Sequence, residues 1–328
     1  MTFTGDEGLF PRDLKDLAFN RKLYDVVKFS TDIDIFSLAD SGISLRRLAR
    51  KTGIERRFLE LVLGVLEHTG FMVTTGTGGK MKYYNTVLSR TYLSRNSPYY
   101  IGDSIFNDAD TYAVLASYVS KGPPDGLIDG NFWTSEFVKT IGSKSLLGPL
   151  QATIESIDLS GRRRLLDVGG GHGLYSVFFT KKYPGLEAWV LDLPDVIDAA
   201  SEYLFKFDAS TRVHLISSAF EDFDGREKYD VVFASNYAGS RESLYDLVSR
   251  SKQLLEDRGW LIIRNYASDV KADPASALVS LDRYARRGRT GMSSMDFISA
   301  LNVHDFTGIE ELYRGDGVII VQGIKLRL

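Results

Sequence analysis

Between Arg164 and Gly173 the chain reads Arg-Leu-Leu-Asp-Val-Gly-Gly-Gly-His-Gly. Leu165 and Leu166 close a short apolar run of buried-strand type, and the rhythm from Leu174 to Lys182 predicts an amphipathic helix. A strand that turns straight into a helix needs positive φ at the corner. Glycine reaches it without steric penalty and leaves backbone bare enough for a ligand to press against. About twenty residues on, Asp192 ends the next apolar strand, Glu187 to Leu191, where a carboxylate can accept hydrogen bonds from a ribose diol. Two acids closing consecutive strands, with glycines between them, describe a nucleoside site.

The glycine spacing narrows the choice of nucleoside. A dinucleotide fingerprint places Gly-x-Gly-x-x-Gly at a helix N-terminus that meets a pyrophosphate, whereas here the glycines fall at Gly169, Gly171 and Gly173 behind Asp167. A carboxylate aimed into that loop repels a diphosphate and suits a ligand carrying an amine, such as the methionine end of S-adenosylmethionine.

Of the 328 residues, 44% are hydrophobic and 25% charged, enough for a globular core and, by length, for two domains. A net charge of -3 supplies no general attraction for nucleic acid or anionic lipid. The absence of cysteine excludes disulfides, zinc-thiolate sites and thiol nucleophiles. No apolar run reaches membrane-spanning length, and Met1 to Gly8 is polar and acidic, unlike a signal peptide, so a soluble cytoplasmic protein without membrane or nucleic-acid partners is expected.

In chain order, residues 11 to 37 carry helical apolar spacing suited to packing. From Ser44 a helix, a Thr52-Gly53 stop, a second helix through Phe58, Leu61, Val62, Val65 and Leu66, and two short strands across Gly76 to Gly79 predict a winged helix. Arg46, Arg47, Arg50, Lys51, Arg56 and Arg57 give it local positive charge, read as solvated helix faces, while the mostly apolar second helix suits burial against another chain. The stretch from Asn96 to Gln151 is rich in aromatics: Tyr99, Tyr100, Phe106, Tyr112, Tyr118, Phe132, Trp133 and Phe137, with a Gly122 to Gly126 loop. They read equally as core or as the lining for a flat organic substrate. Beyond Arg164, strands and helices alternate into a parallel sheet covered on both faces, and two final strands joined only by Arg314-Gly315-Asp316 demand an antiparallel hairpin.

Together, the Ser44 to Thr86 pattern, Asp-Val-Gly-Gly-Gly-His-Gly at 167 to 173, Asp-Leu-Pro at 192 to 194 and the terminal hairpin resemble the class I S-adenosylmethionine-dependent methyltransferases. Within that class they resemble the small-molecule O-methyltransferases with an N-terminal winged-helix dimerisation domain. The resemblance implies an α/β, Rossmann-like methyltransferase sheet with a C-terminal antiparallel hairpin, preceded by a mostly helical winged-helix domain. It implies a dimerisation domain over 1–95, a helical, substrate-lining region over 96–155 and a cofactor-binding domain over 156–328, in a homodimer acting on a small molecule. Asp167 and the backbone of Gly169, Gly170 and Gly171 would line the methionine portion, Asp192 the ribose and Leu193 the adenine. Ser218, Ala219 and Phe220 would stand in the adenine loop, without the acid usual there, and Ser235 and Asn236 would face the carboxylate end.

One departure bears on chemistry. The resemblance implies His-Asp-Trp just beyond the fourth strand, the histidine removing a proton from the acceptor hydroxyl; this chain reads Ser235-Asn236-Tyr237-Ala238-Gly239-Ser240-Arg241-Glu242. Tyr237 is the nearest candidate for contact with substrate. Gly-x-Glu-Arg-Thr appears as Arg287-Gly288-Arg289-Thr290, also without its acid, and Arg283, Arg286, Arg287 and Arg289 form a basic cluster. A methyltransferase acting on a planar metabolite with an already nucleophilic oxygen, nitrogen or carbon is expected. A cofactor-binding enzyme of the same fold with a non-methylating reaction, and a winged-helix DNA regulator, are the alternatives.

Overall fold

The computed structural model describes residues 10–106, 111–121, 134–146, 148–271, 277–278, 281 and 291–326. They fall into two compact units, one ending at Phe106 and one beyond it.

In the first unit α1 (Phe10–Asp32) and α2 (Ile35–Leu38) precede α3 (Leu45–Thr52) and α4 (Arg56–His68). Capping sets the boundaries of the latter pair. The Ser44 hydroxyl accepts the Arg47 N–H at 3.4 Å, and Gly53, at φ 72°, stops α3. Glu55 accepts the N–H groups of Arg57 and Phe58 at 2.7 and 2.8 Å, which also holds its carboxyl below the usual range. Strands β1 (Met72–Thr75) and β2 (Lys82–Asn85) pair antiparallel, completing the helix-helix-hairpin order, and α5 (Val87–Tyr92) and α6 (Gly102–Phe106) follow. Leu59, Leu63 and Leu66 of α4 are buried with Phe36, Leu48 and Met72, while Phe58, Leu61 and Val65 on its other face are exposed. The six basic residues of the α3–α4 region are exposed as well. Tyr100 donates to Asp103 at 2.8 Å and Phe106 packs edge-on to Tyr24, so these aromatics serve the unit's own packing.

The second unit contains α7 (Thr111–Lys121), α8 (Ser135–Ser145), α9 (Pro149–Ser156) and then the sheet. The Gly122 to Gly126 loop, Phe132, Trp133, the side chains of Tyr112, Tyr118 and Phe137, and the arginines at 283, 286, 287 and 289 lie outside the described residues.

Five parallel strands, β3 (Arg164–Val168), β4 (Glu187–Asp192), β5 (Val213–Ser217), β6 (Tyr229–Ser235) and β7 (Leu255–Tyr266), are joined by β8 (Phe306–Gly315) and β9 (Val318–Lys325) in the order β5-β4-β3-β6-β7-β9-β8. Only β9 runs antiparallel to its neighbours, β7 and β8. The hairpin turn is Asp316-Gly317, at φ 53° and 71°, rather than Arg314 to Asp316. A two-residue turn matching strand twist needs positive φ at both positions, which Asp-Gly supplies. The chain winds outward from β3 through β4 to β5 and returns to β6 on the other side of β3. That reversal is a topological switch point, and open α/β sheets usually bind ligands beyond the strands' C-terminal ends at such a point.

Alternation along the strands feeds two cores. Leu165, Phe233 and Ile262 pack on one face with α10 (Leu174–Lys182) and α11 (Pro194–Lys206); Leu166, Val232 and Ile263 pack on the other with α12 (Arg241–Leu254) and the helix Ser294–Val303. The structure corrects the expected amphipathic character of α10. Its residues from Leu174 to Val177, and Phe179 and Thr180, are all buried, Phe178 is half-buried, and only Lys181 and Lys182 are exposed. A helix lying against β4, α9 and α11 has no wet side to leave polar.

Candidate functional site

The site grows from the end of β3. Asp167 follows Leu165 by two residues and so faces the same side of the sheet, where it is fully buried. Its Oδ2 accepts the Ser176 hydroxyl at 2.7 Å, and its Oδ1 has no partner. Burial pushes the carboxyl up to about 7, against the pull of the Ser176 bond, with the Asp192 charge adding to the rise.

The chain then turns through Gly169, Gly171 and Gly173, at φ 63°, 54° and 68°. Gly170 needs its bareness for another reason: a Cβ there would lie 2.7 Å from Val190 Cγ1 and 2.8 Å from Asp167 Cγ. At Gly169 a Cβ would meet the Tyr237 ring at 2.5 Å, so that ring lies directly on the loop. His172 is buried within the turn. Its Nδ1 accepts the Leu174 N–H at 3.1 Å, which leaves the proton of a neutral ring on Nε2, 3.3 Å from Ser145 Oγ. Burial, helped by the positive charge of Arg264, drives its pKa down to about 4.

Asp192 ties β4 to the loop. Its Oδ2 accepts the Gly171 N–H at 2.8 Å and its Oδ1 the Leu193 N–H at 2.7 Å. Burial raises its pKa while these two bonds lower it. Each carboxylate oxygen retains a second lone pair for a ligand hydroxyl. Leu193 is exposed beside it.

The adenine-loop candidates stand after β5. The Ser218 N–H donates to Asp192 O at 3.0 Å, and its hydroxyl donates to Ala219 O at 2.9 Å. Phe220 is buried, with the Arg250 guanidinium 5.3 Å from its ring centre and Tyr237 edge-on at 5.8 Å. The next residue, Glu221, is an acid to which the motifs give no pointer; it accepts the Tyr237 hydroxyl at 3.3 Å. Burial, then the Glu221 charge, raises the Tyr237 pKa, so the phenol keeps its proton at neutral pH. Ser235 and Asn236 follow β6. Asn236, exposed and at φ 54°, donates its N–H to Arg264 O at 2.8 Å, and Ser235 Oγ accepts from Arg264 Nη1 at 3.4 Å.

Asp167, the glycines, Asp192, Ser218, Phe220 and Tyr237 are thus linked around the C-terminal ends of β3 to β6. Spacing gives no signal for Ser176, Glu221, Thr153 or Arg264, whose partners are distant in sequence or lie on other elements. The remaining histidines are engaged elsewhere: His68 with Gly64 O, His214 with Glu187 and His304 with Ala300 O. Among the described residues no cluster could hold a metal ion and no helix is long and apolar enough to cross a membrane.

Residues 132–274 match the model of the O-methyltransferase domain. Over 237 residues the chain is 27% identical to acetylserotonin O-methyltransferase of Rattus norvegicus, covering 66% of this chain and 54% of that protein. Over 229 residues it is 27% identical to 3-hydroxy-5-methyl-1-naphthoate 3-O-methyltransferase of Streptomyces sahachiroi, covering 64% and 63%. The match therefore spans about half to two-thirds of these relatives' length. The crystal structure of human N-acetylserotonin methyltransferase in complex with SAM superposes over 100% of both chains with a TM-score of 0.76 at 18% identity, which establishes the fold. The domain match, the relatives and the fold agree: residues 132–274 carry an O-methyltransferase domain, and the chain is similar in sequence and fold to S-adenosylmethionine-dependent O-methyltransferases.

Proposed function

We propose that this protein methylates a small, planar or aromatic metabolite whose acceptor atom, an oxygen before nitrogen or carbon, is already nucleophilic. The reading rests on the buried Asp167–glycine loop–Asp192 arrangement. A buried carboxylate oxygen without a partner is costly, and a ligand ammonium relieves it. Bare backbone at Gly169 to Gly171 admits a close ligand, and Asp192 has lone pairs left for a sugar. These features fit S-adenosylmethionine. When bound, that cofactor supplies a methyl group on a sulfonium, open to in-line displacement. The relatives' names, acetylserotonin and a hydroxynaphthoate, support an aromatic hydroxyl as acceptor.

Within this reading Asp167 and Asp192 bind the two ends of the donor, and Tyr237 walls the loop without serving as base. Most of the rate then comes from holding donor and acceptor in contact. Calorimetry with S-adenosylmethionine and S-adenosylhomocysteine tests the donor; Asp192→Ala is expected to weaken both by at least ~30-fold through lost charge-assisted bonds. Mass spectrometry of a phenol panel tests the reaction. Turnover that leaves S-adenosylmethionine unconsumed would point instead to a non-methylating enzyme.

The homodimer expectation attaches to the exposed Phe58, Leu61 and Val65 of α4. Leu61→Glu is expected to convert a dimer to a monomer in light scattering, and a wild type that is monomeric at all concentrations ends that part of the proposal.

A further inference from the structure

Arg264 is a buried cation with no counter-ion among the described residues. It lies two residues beyond Ile262 on β7, so it points to the same face of the sheet as Phe233 and Ser235 of β6 and Asp167 of β3. Only 3% of its surface is exposed. Its Nε donates to Thr153 Oγ1 of α9 at 2.9 Å, its Nη1 to Ser235 Oγ at 3.4 Å, and its guanidinium lies 5.8 Å from the Tyr175 ring centre. Two neutral hydroxyls and a distant cation–π contact are a meagre return for desolvating a guanidinium, which carries five N–H donors in a fork shaped for carboxylates. The neighbourhood is that of the glycine loop: Ser235 ends β6, Tyr175 lies in the first turn of the helix after that loop, and the charge of Arg264 is felt at His172.

We infer that Arg264 is the binding partner of a ligand carboxylate, that of the amino-acid end of S-adenosylmethionine. The inference rests on the proposed donor. Asp167 then answers the ammonium and Arg264 the carboxylate of one amino-acid group, two opposite charges presented from one face of the sheet. The ligand completes an ion pair that the protein alone leaves open, so ligand binding stabilises the protein through this residue.

The test compares S-adenosylhomocysteine with S-adenosyl-3-thiopropylamine, which lacks only the carboxylate, by calorimetry on the full chain. Wild type is expected to bind S-adenosylhomocysteine ~10- to 100-fold tighter, the scale of a charged hydrogen-bonded pair. Arg264→Gln should lose that factor for S-adenosylhomocysteine and leave the amine unchanged, with Arg264→Lys intermediate. Arg264→Met should not lower the ligand-free Tm, since it removes an uncompensated charge. Equal affinities of wild type for the two compounds, or equal losses in Arg264→Gln, overturn the inference while sparing the donor assignment; the wild-type comparison stands even if a variant fails to fold. Failure of wild type to bind either compound overturns both. If both compounds bind wild type alike and a carboxylated acceptor alone loses affinity in Arg264→Gln, the arginine belongs to the acceptor, and the cofactor inference falls.

Discussion

The C-terminal ends of β3 and β6 are neighbours in one sheet, yet they are built to different standards. At β3 each backbone position is constrained: the glycines carry positive φ or close approach, Asp167 lies buried against Gly170, and Asp192 clamps the loop through Gly171. At β6 the chain leaves through Ser235, an exposed Asn236 and an exposed Gly239 around which a Cβ would meet nothing within 4 Å. Under the proposed function the β3 end, which cradles the donor, is preorganised, and the β6 exit beyond Ser235 is open. A donor common to a family needs one fixed cradle, whereas an acceptor that brings its own nucleophile needs only a wall and a position.

The sharpest way to break this contrast is to put the same methyl group on each edge. Gly170→Ala drives its Cβ into Val190 and Asp167, two buried side chains with no room to retreat. Overpacking of this kind costs on the order of 1–3 kcal/mol, and displacement of the loop should weaken S-adenosylhomocysteine more than 100-fold. Gly239→Ala should leave Tm and cofactor affinity within error of wild type. Thermal melts and calorimetry on the pair decide it; comparable losses at both positions would erase the distinction between the edges.

The same contrast explains what could be read from sequence. The glycine loop, Asp192 and the parallel sheet were legible because each is written in consecutive residues: positive-φ glycines, a carboxylate closing an apolar strand, alternating strand and helix patterns. The buried α10 was not, because Ser176, Thr180 and Tyr175 look like a polar face until Asp167, the Val177 carbonyl and the Arg264 guanidinium are seen beside them. Arg264 itself resembles the charged residue that ends a strand at solvent. Glu221 is hidden by one position, lying just past the Ser218-Ala219-Phe220 stretch that the resemblance marks. Partners more than a hundred residues apart, as Thr153 and Arg264 are, leave no local pattern to find.

A second way to sharpen the contrast is by titration. Among the residues from Ser235 to Ser240 the ionisable one is Tyr237, raised by burial and by Glu221. The donor edge holds two groups moved across the acidic range in opposite directions. His172 is depressed by burial to about 4, so the stability it contributes as a neutral ring is lost as pH falls through its ordinary value toward 4. Asp167 is raised by burial to about 7, so its folded form prefers the proton, and stability is lost as pH rises from the ordinary carboxylate range through 7. Between these limits the two oppose each other, and each tenfold change in proton affinity on folding is worth ~1.4 kcal/mol. Ligand-free His172→Gln should melt at progressively lower temperature from pH 4.5 to 7, relative to wild type, and Asp167→Asn at progressively higher temperature. Parallel Tm profiles for the two variants would contradict the assignment.

The smallest expected effect carries the clearest statement about chemistry. A phenol that donates to Glu221 and holds its proton at neutral pH cannot remove one from an acceptor. Tyr237→Phe keeps the ring on Gly169 and against Phe220 and deletes only the hydroxyl. Its kcat should therefore stay within about threefold of wild type, whereas loss of a true general base costs about 10²–10⁴-fold. Tyr237→Ala, which removes the wall, should instead raise KM for S-adenosylmethionine with less effect on kcat. If Tyr237→Phe fell a hundredfold, the base would belong to the protein after all. If it does not, kcat/KM across a phenol series should follow the acidity of each phenol, because the proton is then lost to water before the acceptor meets the methyl group.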